Sequence, residues 1–326
     1  MSRDHDHCES LYWVFTQRCN DECAHCYNLS GPHGATIGLE ECLAIASNLP
    51  SRIDRLILSG GEPLTERPKL YAILDAVRQR YGDQTQVMLQ TNGDLLTGEI
   101  LDQILARGVS RIDVASIDRF HRRQGERKAE LEALFKSRGM LDEATGPLIG
   151  REDYLQRGVL SFGFWGATED MWLGGNWARG RAREKDLWLK DGLHNFCGIL
   201  SGAKGFLGGT ELPQEISIQL WKINPCCPGT REPLGDARLE KVAEVLRRHA
   251  GDPIFEALNQ GDPYGMGESL GFSGEYGKQR AQELGSVCLW CDEFFALRRE
   301  ALGQEAGTGQ AEKPKPLLPI LGQRRG

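Results

Sequence analysis

A strand followed at once by a cysteine-rich loop decides the fold: LYWVFTQRCNDECAHCYN, residues 11–28. The apolar run at 11–15 has the length and the aromatic and β-branched content of a buried strand. Cys19, Cys23 and Cys26 follow it, and cysteine thiolates are the usual ligands of iron–sulfur clusters. Three thiolates hold three irons of a [4Fe–4S] cluster and leave the fourth iron open, as a metal must be to bind and activate a small molecule.

Two other metal sites fit part of this loop. Zinc would use two of the cysteines with His25, but no second cysteine or histidine pair lies at zinc-finger distance. A ferredoxin-type run has two-residue gaps, a nearby fourth cysteine and then a proline, whereas this loop begins with a three-residue gap. We therefore favour the cluster with an open iron.

Apolar runs and helical patterns alternate beyond the loop, which is typical of an α/β fold with a parallel sheet and helical crossovers. The predicted strands lie at 56–58, 87–89, 112–115 and 159–164. The predicted helices lie at 38–49 and 69–80, with two more around 100–105 and 131–135. In the C-terminal half, the pattern predicts a strand at 216–221 and a helix at about 236–249. Chemistry in such sheets sits at the carboxyl ends of the strands.

Small and polar residues follow these strands. The segment SGGEP, 59–63, ends the second strand; its glycines permit close approach to a ligand, and its carboxylate can accept hydrogen bonds from a cationic amine. QTNG, 90–93, ends the third strand, and SID, 116–118, ends the fourth. Each segment taken singly also suits an ordinary turn, so their shared position at one edge carries the prediction.

In this arrangement the chain resembles the radical S-adenosylmethionine superfamily, whose signature is a CxxxCxxC loop after the first strand. The resemblance implies that S-adenosylmethionine (SAM) binds the open iron of a [4Fe–4S] cluster held by Cys19, Cys23 and Cys26. Reductive cleavage of SAM then gives a 5′-deoxyadenosyl radical that abstracts a substrate hydrogen. The residues that the resemblance assigns to SAM are Gly60, Gly61, Glu62, Pro63, Thr91, Asn92, Ser116 and Asp118.

The same resemblance implies a partial (β/α)6 TIM-like barrel. Five strands are recognisable, and the segment 139–158 has no clear strand, so the barrel is expected to be shortened or distorted there. We predict three parts: a radical SAM partial barrel at 1–181, a small α+β auxiliary-cluster domain at 182–300 and a flexible tail at 301–326.

A second set of cysteines lies in the C-terminal half: Cys197, Cys226, Cys288 and Cys291. By ligand count these four suit a fully ligated cluster or structural zinc equally well. A lone cysteine, a strand ending in Pro-Cys and a late CxxC resemble the SPASM and Twitch auxiliary domains. The shorter Twitch pattern implies one auxiliary [4Fe–4S] cluster, with Cys226 rather than Cys227 as the ligand.

The resemblance leaves several net reactions open: oxidation, decarboxylation, epimerisation and dehydration. Twitch proteins include an aminocyclitol dehydrogenase, so we predict hydrogen abstraction from a small polar metabolite of natural-product biosynthesis, with net oxidation through the auxiliary cluster. A peptide-modifying maturase is the alternative within the family. The alternatives of another class are a two-cluster electron-transfer protein and a zinc-stabilised binding protein.

The aromatic stretch 162–177 supplies candidate substrate contacts, among which Glu169 is the acid–base candidate. Its aromatic side chains suit packing between two domains equally well.

Charge and composition limit the partners. The net charge of −7 argues against a general binder of nucleic-acid backbones. No apolar run is long enough to cross a bilayer, and the first ten residues lack the apolar stretch of a secretory signal. We therefore expect a cytoplasmic protein with no membrane partner, in which ten cysteines serve metal binding or catalysis rather than disulfides. A flavodoxin- or ferredoxin-type electron donor is the expected protein partner.

Overall fold

The computed structural model describes residues 3–123, 125–144, 159–166 and 177–307. Nine strands are assigned in these ranges: β1 (His7–Val14), β2 (Arg52–Ser59), β3 (Gln86–Thr91), β4 (Val109–Val114), β5 (Leu141–Asp142), β6 (Ser161–Phe164), β7 (Glu215–Gln219), β8 (Lys222–Asn224) and β9 (Gly235–Asp236). They form one sheet in the order β5-β6-β4-β3-β2-β1-β7-β8-β9.

Nine α-helices are assigned in the same ranges: α1 (Leu39–Asn48), α2 (Arg67–Tyr81), α3 (Gly98–Ala106), α4 (Lys128–Lys136), α5 (Gly180–Glu184), α6 (Val242–His249), α7 (Pro253–Asn259), α8 (Gly274–Leu284) and α9 (Val287–Gly307). Short 3₁₀ helices lie at Pro63–Glu66, Phe196–Gly198 and Gly265–Leu270. Within these described ranges, every helix is too short or too polar to cross a membrane.

The sheet is parallel from β5 to β7, and antiparallel pairing begins only at β8 and β9. The expected α/β fold with a mostly parallel sheet is confirmed. The strand predicted near 216–221 pairs in parallel with β1, so the central sheet continues into the C-terminal half of the chain. The carboxyl ends of β1 to β4 and of β7 consequently share one edge of the sheet.

One face of the sheet is apolar. Leu11 and Trp13 on β1 alternate with residues of the other face, and Leu56 and Leu58 lie level with them on β2. All four are fully buried, in one cluster with helical residues such as Ile73. The sequence pattern shows this face because its apolar residues recur at every second position.

The other face of the sheet is polar although it is buried. Parallel sheets usually bury apolar residues on both faces, so this asymmetry is unusual. Most in-register side chains of what we call the polar face are polar, although the apolar Val14, Ile57 and Met88 lie among them. The polar members are Ser10, Tyr12, Ser59, Gln86, Gln90, Arg111, Asp113, Ser161, Glu215 and Ser217, of which Tyr12 and Gln90 are half-buried and the others buried. Hydrogen bonds join several of them: the Tyr12 hydroxyl lies 2.9 Å from Ser59 Oγ and 2.7 Å from Gln90 Oε1.

Three local predictions differ from the structure. The short β5 lies inside the segment 139–158, where the sequence predicts no strand, and it pairs with β6. Its two residues are too few to give a periodic pattern in the sequence. The helix expected from residue 236 begins at Val242, because Gly235 and Asp236 pair with β8 instead. The tail expected from residue 301 begins as helix, since α9 continues to Gly307.

Candidate active site

The cysteine loop, residues 16–30, leaves the carboxyl end of β1 and folds back on its own backbone. Cys19 N–H donates to the Gly31 carbonyl at 2.9 Å, and Cys26 N–H donates to the Cys23 carbonyl at 3.2 Å. Cys19 and Cys23 are buried and Cys26 is half-buried. The loop therefore keeps the three predicted cluster ligands largely out of bulk water.

Backbone amides donate hydrogen bonds to two of these sulfurs. Asp21 N–H lies 3.4 Å from Cys19 Sγ, and Ser30 N–H lies 3.3 Å from Cys26 Sγ. Burial raises the pKa of Cys19 to about 12 and also raises the pKa of Cys23, so the free thiols stay protonated. A metal must displace those protons, and the N–H···S bonds then stabilise the thiolates. The donor set fits an iron–sulfur cluster.

The end of β2 is fastened directly to this loop. Gly61 N–H donates to the Thr16 carbonyl at 2.7 Å, and Glu62 N–H donates to the Arg18 carbonyl at 2.9 Å. A Cβ on Gly60 would lie 2.9 Å from the Thr16 carbonyl, and a Cβ on Gly61 would lie 2.5 Å from the Arg18 carbonyl. These glycines are thus required for the contact with the cysteine loop. The sequence predicted only that they allow a ligand to approach closely, and this second role was missed.

The Glu62 carboxylate joins the ends of β2 and β3. It is fully buried and accepts hydrogen bonds from Leu64 N–H (2.9 Å), the Thr91 hydroxyl (2.8 Å) and Asn92 N–H (2.7 Å). Burial raises its pKa to about 7, although the bonds from Leu64, Asn92 and Thr91 oppose that rise. Pro63 is buried beside it, at the start of a 3₁₀ helix.

The remaining strand-end residues continue this network. The Asn92 amide donates to Asn20 Oδ1 at 3.0 Å, and Ser116 Oγ donates to the Asn92 carbonyl at 2.7 Å. Asp118 accepts from Phe120 N–H at 2.8 Å, and its Oδ1 also lies 3.0 Å from His121 Nδ1. The structure therefore joins the predicted SAM residues Glu62, Thr91, Asn92 and Ser116 in one hydrogen-bonded network beside the cysteines, whereas the bonds of Asp118 lie within its own turn.

An aromatic wall adjoins the same edge. His25 stacks on Phe120 with ring centroids 4.7 Å apart and meets His121 edge-on at 5.1 Å. Burial lowers the pKa of His25 to about 4, so its imidazole is neutral near pH 7. Within the described part of the chain, His25, Asp118 and His121 form the one trio of metal-ligating side chains whose ligand atoms all lie within 4.8 Å of one another. His25 thus belongs with this wall.

Arg181 holds the cysteine loop from the opposite side. Arg181 N–H donates to the Cys26 carbonyl at 2.9 Å, and its guanidinium donates to the carbonyls of Cys23 (3.0 Å) and Ser30. The preceding Gly180 has φ +52°, and a Cβ there would lie 2.4 Å from the Tyr27 carbonyl. From the sequence, this segment was interpreted only as the end of the first predicted domain. A single glycine–arginine pair does not indicate a contact with the cysteine loop.

Comparison with known proteins identifies this arrangement. Residues 13–138 match the sequence model described as the Radical SAM superfamily. These residues form a radical SAM domain. The matched range includes the three cysteines of the loop and all the strand-end residues described above, and it indicates an enzyme.

Two relatives match about a third of this chain. The AdoMet-dependent heme synthase of Methanosarcina barkeri is 40% identical over 119 residues, which cover 33% of this chain and 30% of that protein. The pre-heme d1 synthase of Dinoroseobacter shibae is 33% identical over 112 residues, which cover 33% of this chain and 26% of that protein. The chain thus spans less than a third of the length of these curated relatives.

Among solved structures, BtrN in complex with AdoMet and 2-DOIA is similar over 78% of this chain and 89% of its own, with 13% identity and a TM-score of 0.47. The anSMEcpe structure with bound AdoMet and Cp18Cys peptide is similar over 91% of this chain and 98% of its own, with 16% identity and a TM-score of 0.43.

Beyond the radical SAM domain, the second cysteine set meets around one cavity. Cys197 lies in a 3₁₀ helix, Cys226 follows β8, and Cys288 and Cys291 lie in the first turns of α9. The lining of the cavity includes Cys197, Cys226 and Cys288, together with Trp177, Phe196 and Pro228. Cys291 interacts electrostatically with Cys226 and Cys288.

The neighbouring cysteine has a different environment. Cys227 is buried, and its Sγ lies 3.4 Å from the Tyr27 hydroxyl. Tyr27 directly follows Cys26, so this contact joins the cysteine loop to the residue next to Cys226. The two adjacent cysteines thus have distinct partners, which favours Cys226 as the ligand.

The aromatic stretch 162–177 is described only in part. Phe162 packs on Phe135 at a centroid distance of 4.9 Å. Trp177 is 9% exposed and contacts Tyr27 (4.8 Å) and Phe196 (6.5 Å). These contacts agree with the packing interpretation for Trp177. Glu169 lies outside the described residues.

Glu62 is expected to impose a pH dependence on stability. Its ordinary pKa is 4.5, and the folded pKa is raised to about 7, so between these values the unfolded chain has released a proton that the folded chain keeps. Wild-type stability relative to Glu62→Gln should therefore fall by about 3 kcal/mol as pH rises through this window and then level off. Urea unfolding of both proteins without cluster, from about pH 5 to about pH 8, measures this. A difference that is constant or grows with pH would contradict it.

Removing the Arg181 side chain is expected to loosen the cysteine loop. Arg181→Met loses two charge-assisted hydrogen bonds, so the loop amides should open more readily by about 2 kcal/mol, a roughly 30-fold faster hydrogen exchange. Mass spectrometry of deuterium uptake across residues 19–30, in the protein without cluster, measures this. Arg183→Met is the matched control, since Arg183 is half exposed and pairs with Asp292. Equal uptake in the two variants would show that Arg181 does not hold the loop.

Proposed function

We propose that this protein is a radical SAM enzyme that removes a hydrogen atom from a small polar metabolite, with net oxidation of that metabolite. The observation that carries the proposal is the attachment of the cysteine loop to Glu62 and the ends of β3 and β4. Such a site needs a bound cofactor to explain it, which disfavours a pure electron carrier.

The chain's own residues have definite tasks in this reaction. Cys19, Cys23 and Cys26 would hold three irons of a [4Fe–4S] cluster, which when bound supplies the electron that cleaves SAM. The Glu62 carboxylate, fixed by Thr91 and Asn92, lies beside the place expected for the cofactor's ammonium group. The neutral His25 ring and Phe120 offer an aromatic surface for a planar base.

The polar face of the sheet supports a polar substrate. Burying so many polar groups is unfavourable unless they are hydrogen-bonded or meet a ligand. Arg111 pairs with Asp113 (2.9 Å) and Glu143 (2.5 Å), so both signs of charge are present. Among the described residues, the buried Ser217 hydroxyl finds no hydrogen-bond partner. A hydroxylated or zwitterionic metabolite would satisfy such groups.

The second cysteine set supports an auxiliary cluster rather than zinc. Sulfurs around tetrahedral zinc lie about 3.8 Å apart, given Zn–S bonds of about 2.3 Å. No three cysteine sulfurs in the described ranges all lie within 4.8 Å of one another. A cubane cluster spaces its ligands more widely, so Cys197, Cys226, Cys288 and Cys291 suit one [4Fe–4S] cluster.

Net oxidation then balances simply. The substrate loses one hydrogen atom to the deoxyadenosyl radical, and the resulting substrate radical loses one electron to the auxiliary cluster and one proton to a base. We further propose that the parallel sheet is a partial TIM-like barrel, that the C-terminal half is a Twitch-like domain, and that a flavodoxin- or ferredoxin-type donor supplies the reducing electron in the cytoplasm.

A second candidate function is a step in haem-type cofactor synthesis. Its support is the 40% identity over 119 residues with the AdoMet-dependent heme synthase of Methanosarcina barkeri. The match covers only 30% of that relative, so it supports the substrate less strongly than a match over the whole protein would. Anaerobic turnover with tetrapyrroles and with aminocyclitols as parallel substrates separates the two candidates.

The cluster assignment predicts iron contents that differ between variants. After anaerobic reconstitution, wild type should hold about eight irons, and a Cys19/Cys23/Cys26→Ala protein should hold about four. Only wild type should release 5′-deoxyadenosine from SAM when dithionite is added. Iron and sulfide analysis with chromatography of the nucleoside measures both. Nucleoside release by the triple variant would refute the assignment of the radical site.

Alanine substitutions at the two adjacent cysteines should have different effects on the iron content. Cys226→Ala should lower the iron content by about four, because a cluster ligand is lost. Cys227→Ala should keep the wild-type content, because its Sγ contacts the Tyr27 hydroxyl. The pair controls for general effects of mutation at one site. Iron loss in Cys227→Ala but not in Cys226→Ala would identify Cys227 as the ligand. Iron loss in neither variant would contradict an auxiliary cluster at this site.

A further inference from the structure

One buried cation lies beside the second cysteine set. Arg179 directly precedes α5 and its side chain is only 14% exposed. Its Nη1 donates to the Cys288 carbonyl at 3.0 Å and to Asp292 Oδ2 at 3.1 Å. The guanidinium is therefore attached to the turn that carries two of the four thiols, Cys288 and Cys291.

The charge of Arg179 acts on all four thiols. The guanidinium interacts electrostatically with each of them. Charges interact more strongly in a site with few water molecules, and Trp177 and Phe196 line this one with aromatic surface. Asp292 has the opposite effect on Cys288 and Cys291, whose thiolates it disfavours.

We propose that Arg179 raises the reduction potential of the auxiliary cluster and that Asp292 partly offsets it. The inference rests on the proposed function, because it requires a cluster on the second cysteine set. One-electron reduction adds one negative charge to a cluster already held by four thiolates. A fixed positive charge stabilises that reduced state, and a fixed negative charge destabilises it.

This pair would set how readily the cluster accepts an electron from the substrate radical. Arg179 and Asp292 form a partly buried ion pair. Their opposite charges cancel at the cluster only if both lie equally far from it. Arg179 interacts with all four thiols, whereas Asp292 interacts with Cys288 and Cys291. The Asp292 carboxylate is also paired with a second cation, Arg183, at 3.5 Å. The net effect on the cluster is thus positive.

Substitutions of opposite sign test the proposal. In the Cys19/Cys23/Cys26→Ala background, the remaining cluster can be titrated alone, with its reduced form followed by electron paramagnetic resonance. Arg179→Gln should lower the midpoint potential, Asp292→Asn should raise it, and Arg179→Lys should stay nearer the parent than Arg179→Gln does. Arg183→Gln is the control and should shift the potential less than Arg179→Gln, because Arg183 is half exposed.

The outcomes separate this inference from the proposed function. A background protein that binds no iron while Arg179 is intact would refute the auxiliary cluster itself. A cluster whose potential is unchanged in Arg179→Gln and Asp292→Asn, or shifts the same way in both, would overturn the role of Arg179 alone. If Arg179→Gln loses the cluster, Asp292→Asn decides: a higher potential supports the proposal, and an equal or lower one overturns it.

Discussion

Gly61 N–H and Glu62 N–H donate to the carbonyls of Thr16 and Arg18, and the other groups at this edge of the sheet depend on these two bonds. They bring the backbone after β2 so close to the cysteine loop that a side chain on Gly60 or Gly61 would overlap it. The same turn directs the Glu62 carboxylate toward Thr91 and Asn92, and Asn92 in turn reaches Ser116. The cysteines and the predicted SAM residues are thus one connected structure.

That connection explains why a buried carboxylate is tolerated here. Glu62 is fully buried with no cation among its hydrogen-bond partners, and its pKa rises to about 7 as a result. Such a group is unfavourable for stability, and hydrogen bonds compensate it only in part. A buried carboxylate of this kind at the end of a strand is characteristic of a functional position, where an incoming ammonium group would complete the compensation.

The sequence predicted the part of the fold that depends on local pattern. The strands of the parallel sheet were recognisable because their apolar residues recur on one face, and the cysteine loop because its spacing is specific. The polar face escaped notice, since residues such as Arg111, Asp113 and Ser217 look like solvent-facing positions until β4 and β7 are placed in one sheet. Arg181 escaped for a similar reason, because its partners lie about 150 residues earlier in the chain.

The place of β7 beside β1 also explains how the two cysteine sets are related. Because that strand belongs to the central sheet, the turn after β8 brings Cys226 and Cys227 near the cysteine loop. Cys227 then meets Tyr27, the residue after Cys26, while Cys226 faces Arg179 and the other thiols. In the proposed function, the contact between Cys227 and Tyr27, with the buried aromatic side chains beside it, would connect the two cluster sites and serve the removal of an electron from the substrate. The separation of the two cysteines follows from the sheet topology, and the proposed effect of Arg179 would favour transfer of that electron to the auxiliary cluster.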